Sequence, residues 1–300
     1  MKLVSYLKDG VEGAGIVTLD GKKICPIPGA EGRSEPMLEL MREGLVDHLA
    51  ELYALRDGDS TSFIHIDDVQ LLSPVPHPRD FLCIGLNYET HSEQIAKERG
   101  EVYARREFPA YFAKRTWECT QDYDLPYQVG FEDAYEGGAE IAIIIGRDCL
   151  DVDREHARDY ILGYAVHNDI CENEINKRYR QPMHAKSFDG MAPVGPWIVT
   201  ADEFEADHAF LIRLFIADQL RAEDTSDHMS FDIPYIVSQL STHMTLKVGT
   251  VIASGSPGEV GERYYPVAGE SFVCEIEGLG RIEQRLVQAE KPTPYADKLM

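Results

Sequence analysis

YEGGAEIAIIIG, residues 135–146, places Glu136 and Glu140 around a pair of glycines and then runs straight into an apolar stretch. Such a run, closed by another glycine, reads as a buried strand. Carboxylates entering a buried strand are costly unless positive charge meets them. A divalent cation is the natural partner, and the spacing decides whether one ion can be reached. Along an ideal strand four residues span roughly 13 Å, against roughly 7 Å for two. Oxygens at about 2 Å from one ion cannot bridge the longer span unless the chain bends. Gly137 and Gly138 are residues that permit a bend or bulge. A metal site here therefore requires the strand to break at the glycines.

Outward from this stretch, short apolar segments alternate with Gly and Pro turns. FLCIGLNY, YFAKR, YAVHNDI, GPWIVT, AFLIRLFIAD, TVIASGSPG and SFVCEIEGLGRIEQRLV read as strands. Helices are expected over HSEQIAKERGEVYARR, from Asp153 to about Leu162, and over PYIVSQLSTHMT, with Pro234 confined to its first turn. Residues 1–72 read as a small N-terminal α/β domain: strands separated by D-G and G turns, with Met37, Leu38, Met41, Leu45 and Leu49 at helical spacing between them. SPVPHPRD, residues 73–80, is the connector to a second domain over 73–300. The balance of strands over helices predicts a β-dominated α+β fold rather than a doubly wound one. The tail QAEKPTPYADKLM is expected to be peripheral.

The chain of 300 residues carries 29 basic and 52 acidic side chains, a formal charge of −23. That field disfavours nucleic acid and anionic membrane as partners. Six scattered cysteines form no C-x-x-C pair, which suits a reducing, cytoplasmic setting. No signal peptide or membrane span is expected. GLGRIE lacks the third glycine of a dinucleotide fingerprint, SGSPG is not a nucleophile elbow, and no H-E-x-x-H occurs. Hydride transfer, serine hydrolysis and zinc proteolysis find no support.

What remains is acidic. Glu136, Glu140 and Asp169 all lie at or near strand ends, and oxygen-only ligands suit Mg²⁺ or Mn²⁺. Lys186 in HAKSFDG brings a positive charge nearby. KRYR, residues 177–180, is a basic cluster in an acidic chain, and His91 opens a helix after GLNY. Each also has a plain structural reading: a capping acid, a solvated loop, a helix-capping histidine.

GLNYETHSEQ, EIAIIIG, GYAVHNDI, AKSFDGMAPVGPWIVTADEF, DTSDHMSF, MTLKVGTVIASGSPGEVG and EIEGLGRIEQR follow one another in the order and spacing of the fumarylacetoacetate hydrolase family, which the chain resembles from about Phe81 to Arg285. The resemblance implies a β-roll-like catalytic domain, a homodimer, and Mg²⁺ or Mn²⁺ chemistry on a small anionic oxo acid. It implies Glu136, Glu140 and Asp169 as metal ligands, Lys186 as the side chain that polarises a substrate oxygen, and His91 as the base. Ser256 takes the place of the family's threonine, and with Tyr88, Lys114 and, from the basic cluster, Arg178 and Arg180 it makes up the candidate substrate-binding residues. Two departures stand out. The family's E-x-E is stretched to Glu136 and Glu140, and the glutamate three residues after its histidine is Gln94 here, with Glu93 beside it, so Glu93 and Gln94 are taken with His91 and Lys186 as the catalytic candidates. Gln94 can orient an imidazole but cannot charge it. Where the family continues past its aspartate with Arg and Gln, this chain has Asn173 and Asn176.

The reaction implied is hydrolysis of a C–C bond in an acylpyruvate-like 2,4-dioxo acid through a metal-stabilised enolate. A decarboxylase, tautomerase or sugar-acid dehydratase on the same metal site is the alternative. An inactive family member acting as a binding protein is the reading of another class.

Overall fold

The computed structural model describes residues 1–58, 60–127 and 135–288. The N-terminal segment gives β1 (Lys2–Lys8), β2 (Val11–Val17), β3 (Lys23–Pro26), α1 (Pro36–Arg42), α2 (Leu49–Arg56), β4 (Ile64–His65) and β5 (Gln70–Leu72). Next come β6 (Phe81–Gly85), α3 (Glu89–Arg99), β7 (Ala110–Ala113), β8 (Tyr123–Tyr127), β9 (Tyr135–Glu136) and β10 (Ala139–Ile145). β11 (Ile161–Asn168), β12 (Cys171–Glu172), α4 (Asn173–Tyr179), α5 (Pro182–Ala185) and β13 (Val194–Thr200) follow. β14 (Leu211–Ile216), β15 (Gln219–Thr225), α6 (Ile233–Ser241), β16 (Val251–Ala253), β17 (Ser271–Ile276) and β18 (Gly280–Gln288) complete the order. Strands dominate, as the β-rich α+β reading requires.

One large sheet runs β4-β3-β2-β1-β13-β11-β10-β16-β6-β7, with β5 also paired to β1, and a second runs β15-β14-β17-β18-β8. β10 is buried along its whole length. Its Ile141, Ile143 and Ile145 share a core with Ile212, Leu214, Phe272 and Ile282 of the second sheet. Its Ala142 and Ile144 share another with Met37, Leu40 and Met41 of α1. A strand covered on both faces needs no polar alternation, which is why EIAIIIG reads as a continuous apolar run. β1 pairs β13 antiparallel, Lys2 opposite Val199, so the sheet runs unbroken across the 72/73 division.

Local signals account for most differences from expectation. α3 stops at Gly100, whose φ of +66° ends the helix before EVYARR. The segment after Asp153 is a 3₁₀ helix over Arg154–Tyr160, and Ile161 already belongs to β11. α6 forms as expected: Asp232 accepts from the Tyr235 N–H at 2.9 Å, and Pro234 lies in the first turn. The tail from 289 onward lies outside the described residues. Among the described residues no helix is long and apolar enough to cross a membrane.

Candidate active site

The strand does break at the glycines. β9 ends at Glu136, β10 starts at Ala139, and β9 pairs with β12 rather than continuing β10's ladder. Asn168 pins the break: its Oδ1 accepts from Gly138 N–H at 3.0 Å and its Nδ2 donates to Gln284 Oε1 at 2.8 Å. Asp169 N–H donates to the Gly138 carbonyl at 2.8 Å. A Cβ at Gly137 would lie 2.6 Å from the Phe272 ring, and one at Gly138 would lie 2.7 Å from Ser256 Oγ. Both positions admit only a glycine without displacement of a neighbour.

The bend opens onto a cleft of about 1260 Å³. Glu136, Glu140, Asp169, Lys186, His91, Gln94, Arg180 and Ser256 all line it. Asp169 is buried, with the Lys114 ammonium 2.7 Å from its Oδ1 and the Lys186 ammonium donating to its Oδ2. Burial alone raises a carboxyl pKa, but these two charges outweigh it and hold Asp169 well below the usual carboxylate range. The same contact keeps the Lys186 ammonium protonated above its ordinary range despite its own burial. Glu140 Oε2 accepts from Gly255 N–H at 2.8 Å. Its pKa is pushed up to about 8, first by burial and then by the Asp169 charge.

His91 Nδ1 sits 3.2 Å from the Ser256 carbonyl. A carbonyl can only accept, so Nδ1 carries the proton and Nε2 presents a lone pair. Burial first, then the Arg263 charge, push the imidazole down to about 4. Gln94 does not orient this ring through the bonds it makes: its Oε1 accepts from Glu259 N–H at 2.9 Å.

Helix geometry sorts the remaining candidates. His91, Gln94, Ile95 and Glu98 line the cleft at the spacing of one helical face. Glu93 falls between them in sequence and so on the other side of α3, where it is exposed. Asn173, Asn176 and Lys177 repeat the pattern on α4, Arg180 joins them from the left-handed cap that ends the helix, and Arg178 is turned to solvent outside the cleft. Tyr88 is fully buried in the main core, closing a bridge to Met229, and takes no part in the cleft lining. Lys114 stands behind Asp169 rather than in the cleft, donating to the carbonyls of Ile170 and Met191. For Glu93, Arg178, Tyr88 and Lys114 the expected contact with substrate is thus replaced by a surface, core or supporting position.

Three cleft residues escaped the sequence reading. Arg263 lies 2.6 Å from Glu136 Oε1, Glu259 donates its N–H to Gln94 on α3, and Tyr265 accepts from Asn173 Nδ2 at 3.1 Å. They come from the irregular segment GEVGERYYP, where no periodicity assigns a side-chain direction.

The matched region agrees with this architecture: residues 80–287 match the model of the fumarylacetoacetate (FAA) hydrolase C-terminal domain. The chain belongs to the fumarylacetoacetate hydrolase family. Oxaloacetate tautomerase YisK of Bacillus subtilis (strain 168) is 30% identical over 289 residues, covering 89% of this chain and 94% of that protein. The 4-hydroxyphenylacetate degradation bifunctional isomerase/decarboxylase of Salmonella dublin is 30% identical over 218 residues, 72% of this chain. Of that longer relative this family member spans about half, 49%. The maleylpyruvate hydrolase of Sphingobium sp. SYK-6, solved with manganese(II) ion and pyruvate, superposes with a TM-score of 0.76 at 26% identity, over 97% of this chain and all of that one (100%). The family's members among these relatives are hydrolases, isomerases and decarboxylases, and the expectation of an enzyme stands.

For a divalent cation the donor chemistry fits. Glu140 and Asp169 are oxygen donors, the Asp169 charge resisting ionisation of Glu140, and the buried Glu136 Oε1 and Asp169 Oδ1 are oxygens that call for a positive charge, met here by Arg263 and Lys114. Glu136 is turned to Arg263, however, and among the described residues no three acidic, His or Cys side chains stand close enough to hold an ion as they are.

Proposed function

We propose that this enzyme enolises a small anionic 2-oxo acid with Mg²⁺ or Mn²⁺ held by Glu140 and Asp169 and completed by Glu136. One observation carries the reading: Asp169, ionised between Lys114 and Lys186, faces a second buried carboxylate whose ionisation is resisted up to about pH 8. When bound, the cation supplies Lewis acidity toward the 2-oxo group.

The chain's own groups do the rest. Lys186 keeps its proton and lends a fixed positive charge to the enolate oxygen. His91, neutral and with Nδ1 committed to the Ser256 carbonyl, accepts a proton at Nε2. That proton comes from the carbon beside the keto group: the C–H pair becomes the enolate C=C, and the carbonyl π pair moves to oxygen. Reprotonation by the imidazolium gives the tautomer. Where the carbon beside the keto group carries a carboxylate, its C–C bond breaks instead and CO₂ leaves. The bond pair becomes the C=C of the shorter acid's enolate, and protonation at carbon releases the decarboxylated 2-oxo acid. Arg180 and Ser256 contact the acid from the cleft walls.

A weakly basic imidazole with no carboxylate partner suits removal of an already acidified carbon proton better than activation of water. Hydrolytic C–C cleavage of a 2,4-dioxo acid is the second reading, favoured by a cleft larger than a four-carbon acid needs. A cytoplasmic homodimer belongs to the same proposal, and six cysteines that are all free and buried support a reducing compartment.

The experiment follows oxaloacetate keto–enol exchange by absorbance, with pyruvate release in parallel, on Mn²⁺-loaded protein. An acylpyruvate is assayed alongside. Exchange or pyruvate formation lost in His91→Ala and Lys186→Met supports the proposal. Turnover of the acylpyruvate alone selects hydrolysis, and no turnover of either sinks both readings.

A further inference from the structure

Arg263, on the loop between β16 and β17, joins β9 to α3 across the cleft. Its Nη1 lies 2.6 Å from Glu136 Oε1 on β9. Its Nε and Nη2 donate to Glu98 Oε1 in the last turns of α3 at 3.1 and 3.0 Å, and Nη2 also reaches Oε2 at 3.1 Å. The Arg263 and Glu136 side chains are 16% and 20% exposed, so that pair is largely shielded from solvent, whereas Glu98, at 43%, meets the guanidinium at the cleft rim. Glu136 Oε1 is buried, and the Arg263 guanidinium is what answers its charge.

α3 is also unusual in having no fully buried residue. A helix without a core face is held by its polar ties. Those facing the cleft are few: Gly258 N–H to Thr90 Oγ1 at 3.3 Å, Glu259 N–H to Gln94 Oε1 at 2.9 Å, His91 Nδ1 to the Ser256 carbonyl, and the Arg263 fork. The first three join α3 to the loop. Among the described residues, the Arg263 fork is the tie that continues past the loop to the strand bearing Glu136.

We propose that Arg263 is a positioning residue that withholds Glu136 from Glu140 and Asp169 and, with the same side chain, fastens α3 to the floor of the cleft. Taking up a divalent cation with all three carboxylates costs the Arg263–Glu136 pair. The Nη1 arm is then released, and α3 with its loop is uncoupled from β9. This rests on the cation reading above. It explains why the three carboxylates are not gathered in the structure although their chemistry suits one ion.

The test is Mn²⁺ titration calorimetry on chelator-stripped protein, paired with hydrogen exchange over residues 89–99. Arg263→Gln removes the competitor, so Mn²⁺ binds roughly tenfold tighter, in keeping with the loss of one charge-assisted hydrogen bond. In the wild type Mn²⁺ speeds exchange across 89–99. In Arg263→Gln exchange is already fast and Mn²⁺ adds nothing. Glu98→Gln speeds exchange without tightening Mn²⁺, since Arg263 stays on Glu136. Arg263→Lys, whose ammonium lacks the fork that spans both acids, gives the same direction as Arg263→Gln and decides the matter should that variant not fold. Mn²⁺ bound equally or more weakly by the folded Arg263 variants overturns this inference and leaves the cation reading standing. Mn²⁺ bound by none of the proteins overturns both.

Discussion

Lys114 Nζ stands 2.7 Å from Asp169 Oδ1 with its side chain fully buried, on the far side of the carboxylate from the cleft. Lys186 reaches the other oxygen from the cleft side. One aspartate is therefore held between a structural cation and a functional one, and the two lysines are not equivalent. Lys114 sets the charge and direction of Asp169, and Lys186 is the one a substrate can meet.

Replacing Lys114 by Met should accordingly destabilise the fold by about 3–5 kcal/mol, the usual cost of removing one partner from a buried ion pair. Lys186→Met, at the edge of solvent, should cost less stability and more turnover. Chemical denaturation of the two variants beside oxaloacetate exchange rates checks the split.

The cation-free protein should be most stable near pH 6.5. Glu140 ionises at about 8 in the fold against 4.5 ordinarily, so between these values the folded state holds a proton that the unfolded state has lost, and stability falls as pH rises. His91 and His167, pushed down to about 4 and about 3, act oppositely: below 6.5 the unfolded chain takes up protons that the fold refuses. Depressed Asp169 adds to the acid-side loss. From pH 6.5 to 8 the unfolded histidines give up their remaining protons and offset part of the Glu140 loss, leaving a decline on the order of 1 kcal/mol. Urea midpoints for wild type and Glu140→Gln should show that decline in the first and little of it in the second.

The glycines should rank by what lies over them. Gly137→Ala drives a methyl to 2.6 Å from the ring of the fully buried Phe272. Gly138→Ala meets Ser256 Oγ at 2.7 Å, which can rotate away, and its Cβ at 2.9 Å, which must shift by a smaller amount than a packed ring. Both overpack, at about 1–3 kcal/mol, with Gly137→Ala the worse. Thermal melts of the two variants give the order.

Gln94→Glu should move the acid limb of the pH–rate profile upward. The residue lies one turn from His91 on the same face of α3, where a carboxylate favours the imidazolium. It keeps an acceptor for the Glu259 N–H. His91→Ala should lower turnover by about 10²–10⁴, the usual worth of a positioned proton acceptor. A full pH profile of each variant measures both.

Much of the site is written in local pattern. Glu140 and Asp169 could be found because each terminates a segment that is otherwise apolar, and such an acid has few structural reasons to be there. The glycine pair announced a break because an unbroken strand would set Glu136 and Glu140 too far apart. Glu93 and Arg178 were placed by charge and neighbourhood in the sequence. A strict helical count from His91 and from Asn173 would have turned both away from the cleft. Tyr88 and Lys114 could not be sorted this way, because burial of one residue of a short strand–loop junction depends on what packs over it.

By itself, then, the sequence determined the strands, the β-dominated α+β character and the acids that could meet a cation, since periodicity, glycine placement and the cost of a buried charge act over a few residues. It also excluded the dinucleotide, nucleophile-elbow and zinc-protease chemistries by the absence of their spacing. Which cation each acid meets was decided only by the tertiary structure. Lys114 is 55 residues from Asp169 and Arg263 is 127 from Glu136, by their sequence numbers. Those distances are closed by the β6–β7 hairpin and by the loop between β16 and β17. Coulomb energy falls off over a few ångströms in space and takes no account of separation along the chain.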